Sequence, residues 1–186
     1  IWGNTVQSYC LFAAILLIGL LLKRFVSKVI SQLLFKLFKK FADEVKIDTF
    51  IALLLKPFEF FISIASLYLA INQLKHPFEV GILTYTKLVD KVKVKEVFTL
   101  GELFDKIFLF LIILSFFWII LRIIDFVAHV FTYKALKSQN KADDQLVPFL
   151  KKFFKFIIYF FCFFVLLGYV FEVNALSLIT GLGIGG

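Results

Sequence analysis

A chain of 186 residues that is 61% hydrophobic is too apolar for an ordinary soluble domain, in which about 45–50% of residues are apolar. The composition therefore predicts a protein embedded in a bilayer. The net charge of +8 comes from basic residues that flank apolar runs, a pattern typical of topology signals and head-group contacts, and we expect no nucleic-acid partner.

The sequence contains no pattern of a catalytic or metal site. Cys10 and Cys162 each lie in an apolar run, and His76 and His129 are isolated from other ligand types. The uncharged runs also lack the paired carboxylates and histidines that proton-coupled transporters and intramembrane enzymes use. We therefore expect no enzyme activity, no cofactor and no metal.

The first predicted span covers residues 1–22, which are free of charge and long enough for a hydrocarbon core that needs about 20 residues. Lys23 and Arg24 end it. The run lacks the basic start and cleavage site of a signal peptide. Because the chain begins without Met and stops within an apolar glycine-rich run, we expect it to be a piece of a longer protein.

Residues 25–41 have apolar side chains at helical spacing with lysines between them, which predicts a basic amphipathic helix. Such a helix either lies on the membrane surface or continues the first span beyond it. In both cases we expect its lysines to contact lipid head groups, in particular Lys36, Lys39 and Lys40.

The second predicted span covers residues 60–74, with Pro57 in its first turn and residues 50–55 as an interfacial turn or helix before it. A long polar connection follows, at residues 75–101. Within it, residues 91–95 alternate with period two, which allows a short extended stretch. Thr99 and Glu102 match a capping box that begins the third span.

The third span is predicted over residues 103–124, ending near Arg122 and Asp125 and continuing as a helix toward Ala135. Asp143 and Asp144 favour the start of a further helix, in whose first turn Pro148 is tolerated.

The uncharged run at residues 156–171 provides the fourth predicted span. A short turn at Glu172 and Asn174 ends it. Three lysines lie just before the run: Lys151, Lys152 and Lys155.

A fifth apolar segment, residues 173–186, contains four of the nine glycines: Gly181, Gly183, Gly185 and Gly186. Each glycine costs a helix about 1 kcal/mol relative to alanine, and in lipid such clusters allow helices to approach closely. A loop or frayed end is the alternative. A phosphate-binding loop is not indicated, because no Lys-Ser or Lys-Thr follows.

The predicted fold is therefore all-α, a polytopic transmembrane protein with four complete spans and the start of a fifth. Most basic residues fall in the connections between spans one and two and between spans three and four. The positive-inside rule places these connections in the cytoplasm and the N-terminus outside.

The last part of the chain resembles a known family. Asp-Asp-Gln-Leu-Val-Pro-Phe-Leu at residues 143–150, an apolar span, and Val-Asn-Ala-Leu-Ser-Leu-Ile-Thr-Gly-Leu-Gly-Ile-Gly-Gly at residues 173–186 are similar to the core of the small-conductance mechanosensitive channel (MscS) family. The resemblance makes residues 139–186 the channel core and residues 1–138 additional N-terminal helices.

The resemblance implies a homo-oligomer, typically a heptamer, in a bacterial inner membrane. Its glycine-rich helices would line a pore, with Gly181, Gly183, Gly185 and Gly186 packing against the next subunit. The fourth span would be part of a lipid-facing paddle, with Lys151, Lys152 and Lys155 in contact with lipid head groups on the cytoplasmic side. Membrane tension would open the pore, releasing ions and small osmolytes after hypo-osmotic shock. Family members continue into a gate and a cytoplasmic vestibule, so the gate would lie beyond Gly186.

Two other functions remain open from the sequence. A transporter or transporter subunit would show internal repeats and broken helices at the membrane midplane, and neither pattern occurs here. A membrane scaffold or assembly subunit would need no pore, and its terminal glycines would then be incidental.

Overall fold

The structure, a computed structural model, describes residues 3–40, 42, 45–89, 92–137 and 141–173. Three helices in this part of the chain are long and apolar enough to cross a membrane, which supports a membrane-embedded protein: Val6–Phe38, Ile47–Ile71 and Leu100–Ala135. Four complete spans were predicted, and the fourth, over residues 156–171, is not one of these three. In chain order, the elements are α1 (Val6–Phe38), α2 (Ile47–Ile71), β1 (Gly81–Val89), β2 (Val92–Thr99), α3 (Leu100–Lys137) and α4 (Lys141–Tyr169).

Helix α1 is one uninterrupted helix that passes through Lys23 and Arg24. The basic amphipathic segment therefore continues the first span, which was one of its two predicted arrangements. At 1.5 Å per residue its 33 residues extend about 50 Å, well beyond a hydrocarbon core of about 30 Å. The backbone N–H of Ser8 donates to the Thr5 hydroxyl at 3.2 Å and caps the start of α1.

Helix α2 begins ten residues before Pro57, so the prediction that this proline occupies the first turn is wrong. Phe50 and Leu54 are fully buried in the core, and this packing extends the helix toward its N-terminus. The proline, which is also buried, removes one backbone donor within the helix. The helix ends at Ile71, and the N–H of Asn72 donates to the Tyr68 carbonyl at 3.1 Å.

The connection between α2 and α3 folds into an antiparallel hairpin of β1 and β2, with Leu83 paired to Phe98 and Val89 to Val92. The extended stretch suggested at residues 91–95 is thus part of a longer structure, and the all-α prediction omitted a two-stranded sheet. Both strands are rich in β-branched residues, which favour this conformation. The N–H of Glu102 donates to the Thr99 hydroxyl at 3.2 Å, as the predicted cap requires.

Helix α3 continues to Ala135, as predicted, and ends at Lys137. Helix α4 begins at Lys141, so Asp143 and Asp144 fall in its first turn, also as predicted. Pro148 is the eighth residue of α4, and its placement in the first turn was wrong because the helix starts earlier. After Tyr169 the chain turns through Glu172, whose φ is 55°. Residues 174–186, which include Asn174 and the four terminal glycines, lie outside the described residues.

The helices form a row in which each packs along the next: α1 on α2, α2 on α3, and α3 on α4. Gly19 of α1 faces Ser66 of α2, where a side chain on the glycine would collide with the serine. Between α2 and α3, the rings of Phe60 and Trp118 have centroids 5.9 Å apart. Phe35, further along α1, packs on Phe50, earlier in α2, so these two helices are antiparallel. The same holds for α2 with α3 and for α3 with α4, and alternate connections therefore lie at opposite ends of the row.

At one end, which we call the basic end (residues 35–40, 45–50, 122–137 and 141–155), aromatic rings from three helices meet. The centroids of Phe50 and Phe126 are 4.6 Å apart, and those of Phe35 and Phe126 are 6.1 Å apart, each pair edge to face. Phe50, Phe126 and Leu54 are fully buried and form the centre of the core.

The opposite end, which we call the hairpin end (residues 3–6, 71–89, 92–106 and 170–173), contains several polar contacts. The Asn4 side chain accepts from the N–H of Lys75 at 2.7 Å and donates to the His76 carbonyl at 2.8 Å. Lys106, near the start of α3, pairs with Glu172, beyond the end of α4, at 3.0 Å. These contacts join the first described residues to the connection after α2, and the start of α3 to the turn after α4.

Candidate functional site

Four charged side chains converge at the basic end, between α3 and α4. The Asp125 carboxylate lies 2.7 Å from the Lys155 ammonium nitrogen, 2.8 Å from that of Lys151 and 3.3 Å from a guanidinium nitrogen of Arg122. The side chain of Asp125 is only 11% exposed, whereas the three basic side chains are 25–40% exposed. We call these four residues the Asp125 cluster.

Helix geometry explains why the cluster forms. Lys151 and Lys155 are four residues apart and so lie on one face of α4, one turn above the other. Arg122 and Asp125 are three residues apart on the facing side of α3. Once the two helices pack antiparallel, both lysines reach one carboxylate, which holds α3 and α4 in register.

The Asp125 cluster is not electrically neutral. Three cationic side chains surround one carboxylate, which leaves two positive charges uncompensated within the cluster. Of the described residues that line the neighbouring cavities, Asp125 alone is acidic. A partly buried excess of positive charge is costly unless an anion or solvent balances it, so the cluster attracts anions.

Two cavities border the Asp125 cluster, and Lys151 lines both of them. The polar cavity, of about 630 Å³, lies between the start of α2 and the α3–α4 pair and is lined by Thr49, Leu53, Arg122, Asp125, Ala128, His129, Thr132, Val147, Pro148, Lys151 and Lys155.

The second cavity, of about 470 Å³, runs between α3 and α4, and we call it the apolar groove. Its lining is hydrophobic apart from two lysines: Ile124, Val127, Ala128, Phe131, Lys134, Ala135, Leu146, Val147, Leu150, Lys151 and Phe154. A charged cluster therefore lies directly beside a hydrophobic cleft.

The six lysines predicted to contact head groups fall into two sets. Lys36, Lys39, Lys40 and Lys152 are exposed, and they stay predicted head-group contacts. Lys151 and Lys155 instead point toward Asp125 and pair with it. The four glycines predicted to pack in a pore, Gly181, Gly183, Gly185 and Gly186, lie outside the described residues.

The sequence interpretation missed Asp125 as a site residue and treated it only as the end of the third span. A signal was present: an Arg–Asp pair at a spacing of three on one helix, and a Lys–Lys pair at a spacing of four on the next. Within the described ranges, no group of three or more His, Cys, Asp or Glu side chains is placed to hold a metal ion.

The chain was compared with protein-family models, with curated proteins and with solved structures, and none of them matches it. Its function is therefore inferred from the membrane helices, the Asp125 cluster and the sequence resemblance of its last part.

Proposed function

We propose that the chain is a subunit of an ion channel opened by membrane tension, which releases ions and small osmolytes after hypo-osmotic shock. The subunits form a homo-oligomer, a heptamer by resemblance, with the glycine-rich segment of each lining a shared pore. Residues 139–186 supply the channel core and residues 1–138 the additional helices.

The observation that carries this proposal is the position of α4, the helix that the resemblance assigns to the paddle. It lies at the edge of the helix row and packs along α3. Its remaining surface is exposed and strongly aromatic, as a helix in contact with lipid or a neighbouring subunit requires. Exposed rings occur along its length: Phe149, Phe153, Phe156, Phe160 and Phe163.

An edge helix also fits gating by tension. Tension favours whichever state occupies more membrane area, because only a difference between two states can shift their equilibrium. A helix with a single long neighbour can tilt away from the pore while α1, α2 and α3 keep their packing. The glycine-rich segment, which directly follows α4, would then move with it.

The proposed orientation has the basic end in the cytoplasm and the hairpin end outside a bacterial inner membrane. It can be tested with a membrane-impermeant thiol reagent, after Cys10 and Cys162 are replaced by serine. Reagent added outside is expected to label Glu79→Cys and to spare Lys40→Cys. Labelling of Lys40→Cys alone would show that the orientation is the reverse.

The channel function is tested by patch-clamp of the full-length protein in liposomes under graded suction. We expect stepwise currents below the tension that ruptures the patch, and none from protein-free liposomes. The mass of the purified particle tests whether the subunits form a homo-oligomer. The absence of current up to the tension that ruptures the patch would contradict the channel proposal. A monomeric particle would contradict a shared pore.

A further inference from the structure

We propose that the polar cavity at the basic end binds a dianionic phosphate group, the kind that a phosphate monoester carries. Arg122, Lys151 and Lys155 hold the phosphate oxygens, and the ligand enters from the aqueous side of the membrane boundary. This site goes beyond the proposed channel function and depends only on described residues at the basic end.

The polar cavity extends from the edge of the hydrocarbon core toward water. On α3, residues 107–121 carry no charge, and Arg122 is the first charged residue after them. The lining continues along α3 from Arg122 to Thr132, about 15 Å at 1.5 Å per residue. One head-group layer is only about 5–7 Å thick. A soluble ligand therefore reaches the cavity without crossing hydrocarbon.

The charge of the cavity matches a phosphate monoester better than an anion with a single charge. Three cationic side chains and one carboxylate leave two positive charges uncompensated. A phosphate monoester carries a charge of about −1.5 to −2 at pH 7. Chloride, a carboxylate or a phosphate diester carries only one negative charge. A dianionic phosphate group therefore neutralises the Asp125 cluster, and the other anions do not.

The basic side chains can bind a second anion without releasing Asp125. A lysine ammonium group has three N–H donors, so Lys151 and Lys155 can each contact the carboxylate and a phosphate oxygen together. Arg122 makes the longest contact, 3.3 Å from one guanidinium nitrogen, and a guanidinium has five donors. All three side chains are partly exposed, so an entering anion can reach them.

The size of the polar cavity leaves room for more than the phosphate group. Its volume of about 630 Å³ lies within the range of about 300–1,000 Å³ that is typical of ligand pockets. Thr49 and Leu53 of α2 line it together with residues of α3 and α4. The ligand is therefore the phosphate ester of a small alcohol, or a lipid head group that ends in a phosphate monoester.

The soluble source is tested by isothermal titration calorimetry of the purified, lipid-depleted full-length protein at constant ionic strength. The probe is glycerol 3-phosphate, and glycerol is its uncharged control. We expect binding of glycerol 3-phosphate with one site per chain and no binding of glycerol. Because chloride stays in large excess throughout, binding under these conditions supports a preference for the dianion.

The lipid source is tested by native mass spectrometry, which counts bound lipids. Phosphatidic acid, a monoester, is compared with phosphatidylglycerol, a diester with identical acyl chains. With its phosphate near Arg122, such a lipid keeps its acyl chains beside residues 107–121, outside both cavities. Preference for phosphatidic acid without binding of glycerol 3-phosphate would identify a lipid as the source. If glycerol 3-phosphate does not bind and the two lipids bind equally, the proposal is overturned.

Variants locate the site, and each is measured with the monoester that binds. Arg122→Gln is expected to weaken binding about tenfold, the factor that a hydrogen bond between charged groups contributes. Asp125 keeps both lysines in this variant, so the helices should stay packed. Lys152→Gln removes the same charge from an exposed position of α4. It should leave glycerol 3-phosphate binding, or the preference for phosphatidic acid, unchanged. Equal effects of the two variants would overturn the site.

A second pair of variants tests the cavity from α2 and decides the matter if Arg122→Gln fails to fold. Thr49→Glu adds a negative charge to the lining and should weaken binding about tenfold by repulsion. Thr49 is the third residue of α2, where a carboxylate suits the helix start. Thr49→Gln, of the same size without the charge, should keep the binding. Full binding by Thr49→Glu would overturn the placement in this cavity. These measurements involve no current, so they can fail while the channel proposal stands, and the reverse.

Discussion

The Lys155 ammonium group of α4 and the Asp125 carboxylate of α3 lie 2.7 Å apart, in a protein whose two helices otherwise meet mainly through apolar side chains. A single carboxylate thus holds three cations together. Without it, those cations would repel one another at short range, and nothing else in the described cluster would offset that repulsion.

Asp125→Asn is therefore expected to destabilise the α3–α4 pair. We expect a loss of about 1–2 kcal/mol, below the value of about 3–5 kcal/mol for fully buried pairs because the basic partners are partly exposed. Unfolding in detergent, followed by Trp fluorescence, measures the loss. Asp105→Asn, an exposed position on the same helix, is the control. Equal stability of the two variants would contradict the role given to Asp125.

Gly19→Ala tests the close approach of α1 and α2. A methyl group at Gly19 would collide with the Ser66 side chain, so the helices must separate and lose packing. We expect a destabilisation of about 1–3 kcal/mol. Gly168→Ala is the matched control, because nothing lies within 4 Å of a methyl group there. That control is expected to gain up to about 1 kcal/mol, and a loss at both positions would contradict the contact.

Phe126→Ala tests the aromatic core at the basic end. Phe126 is fully buried and its ring contacts those of Phe35 and Phe50. We expect a loss of about 3 kcal/mol, the low end for phenylalanine, because lipid rather than water surrounds much of the row. Phe116→Ala, half-exposed on the same helix, should cost far less. Similar losses for the two would show that the core is elsewhere.

Asn4→Ala tests the link between the start of the chain and the end of α2. The Asn4 side chain accepts hydrogen bonds from the amides of Lys75 and His76, at 2.7 and 3.1 Å. Without it these amides should exchange with deuterium faster, by about tenfold for a net loss of about 1–1.5 kcal/mol. Gln7→Ala, at an exposed position, should leave their exchange unchanged. Unaltered protection in Asn4→Ala would contradict the link.

Gly183→Leu tests the packing role that the resemblance gives to the terminal glycines. A large side chain in a tightly packed pore helix would keep neighbouring subunits apart. We expect a changed gating threshold in patch-clamp, a loss of assembly, or both. If threshold and particle mass both match those of the unaltered protein, Gly183 has no role in subunit packing.

Charge-free runs predicted where the helices lie, because a hydrocarbon core excludes charged side chains whatever the tertiary fold. The helix starts were less predictable. Pro57 and Pro148 are usual markers of a first turn, yet apolar residues before Pro57 pack into the core and extend α2 past it. Local preference is overridden there by tertiary packing.

The Asp125 cluster depends on information that a single sequence holds only in part. The spacings of three and four residues place Arg122 with Asp125, and Lys151 with Lys155, on common helix faces. Which faces meet depends on the relative shift of α3 and α4 along each other, and that shift is a property of the packed helices. The hairpin was also only partly predictable, because its strand pairing joins residues on both sides of a polar connection.

The helix row has a mechanical consequence. A closed four-helix bundle buries the inner face of every helix, whereas a row of helices leaves both of its broad sides exposed. At the basic end, aromatic rings of α1 contact a ring of α3, so the row bends there. In a membrane, the exposed sides of such a row lengthen the boundary along which hydrophobic mismatch acts. We therefore expect the conformation of this protein to respond to bilayer thickness as well as to lateral tension.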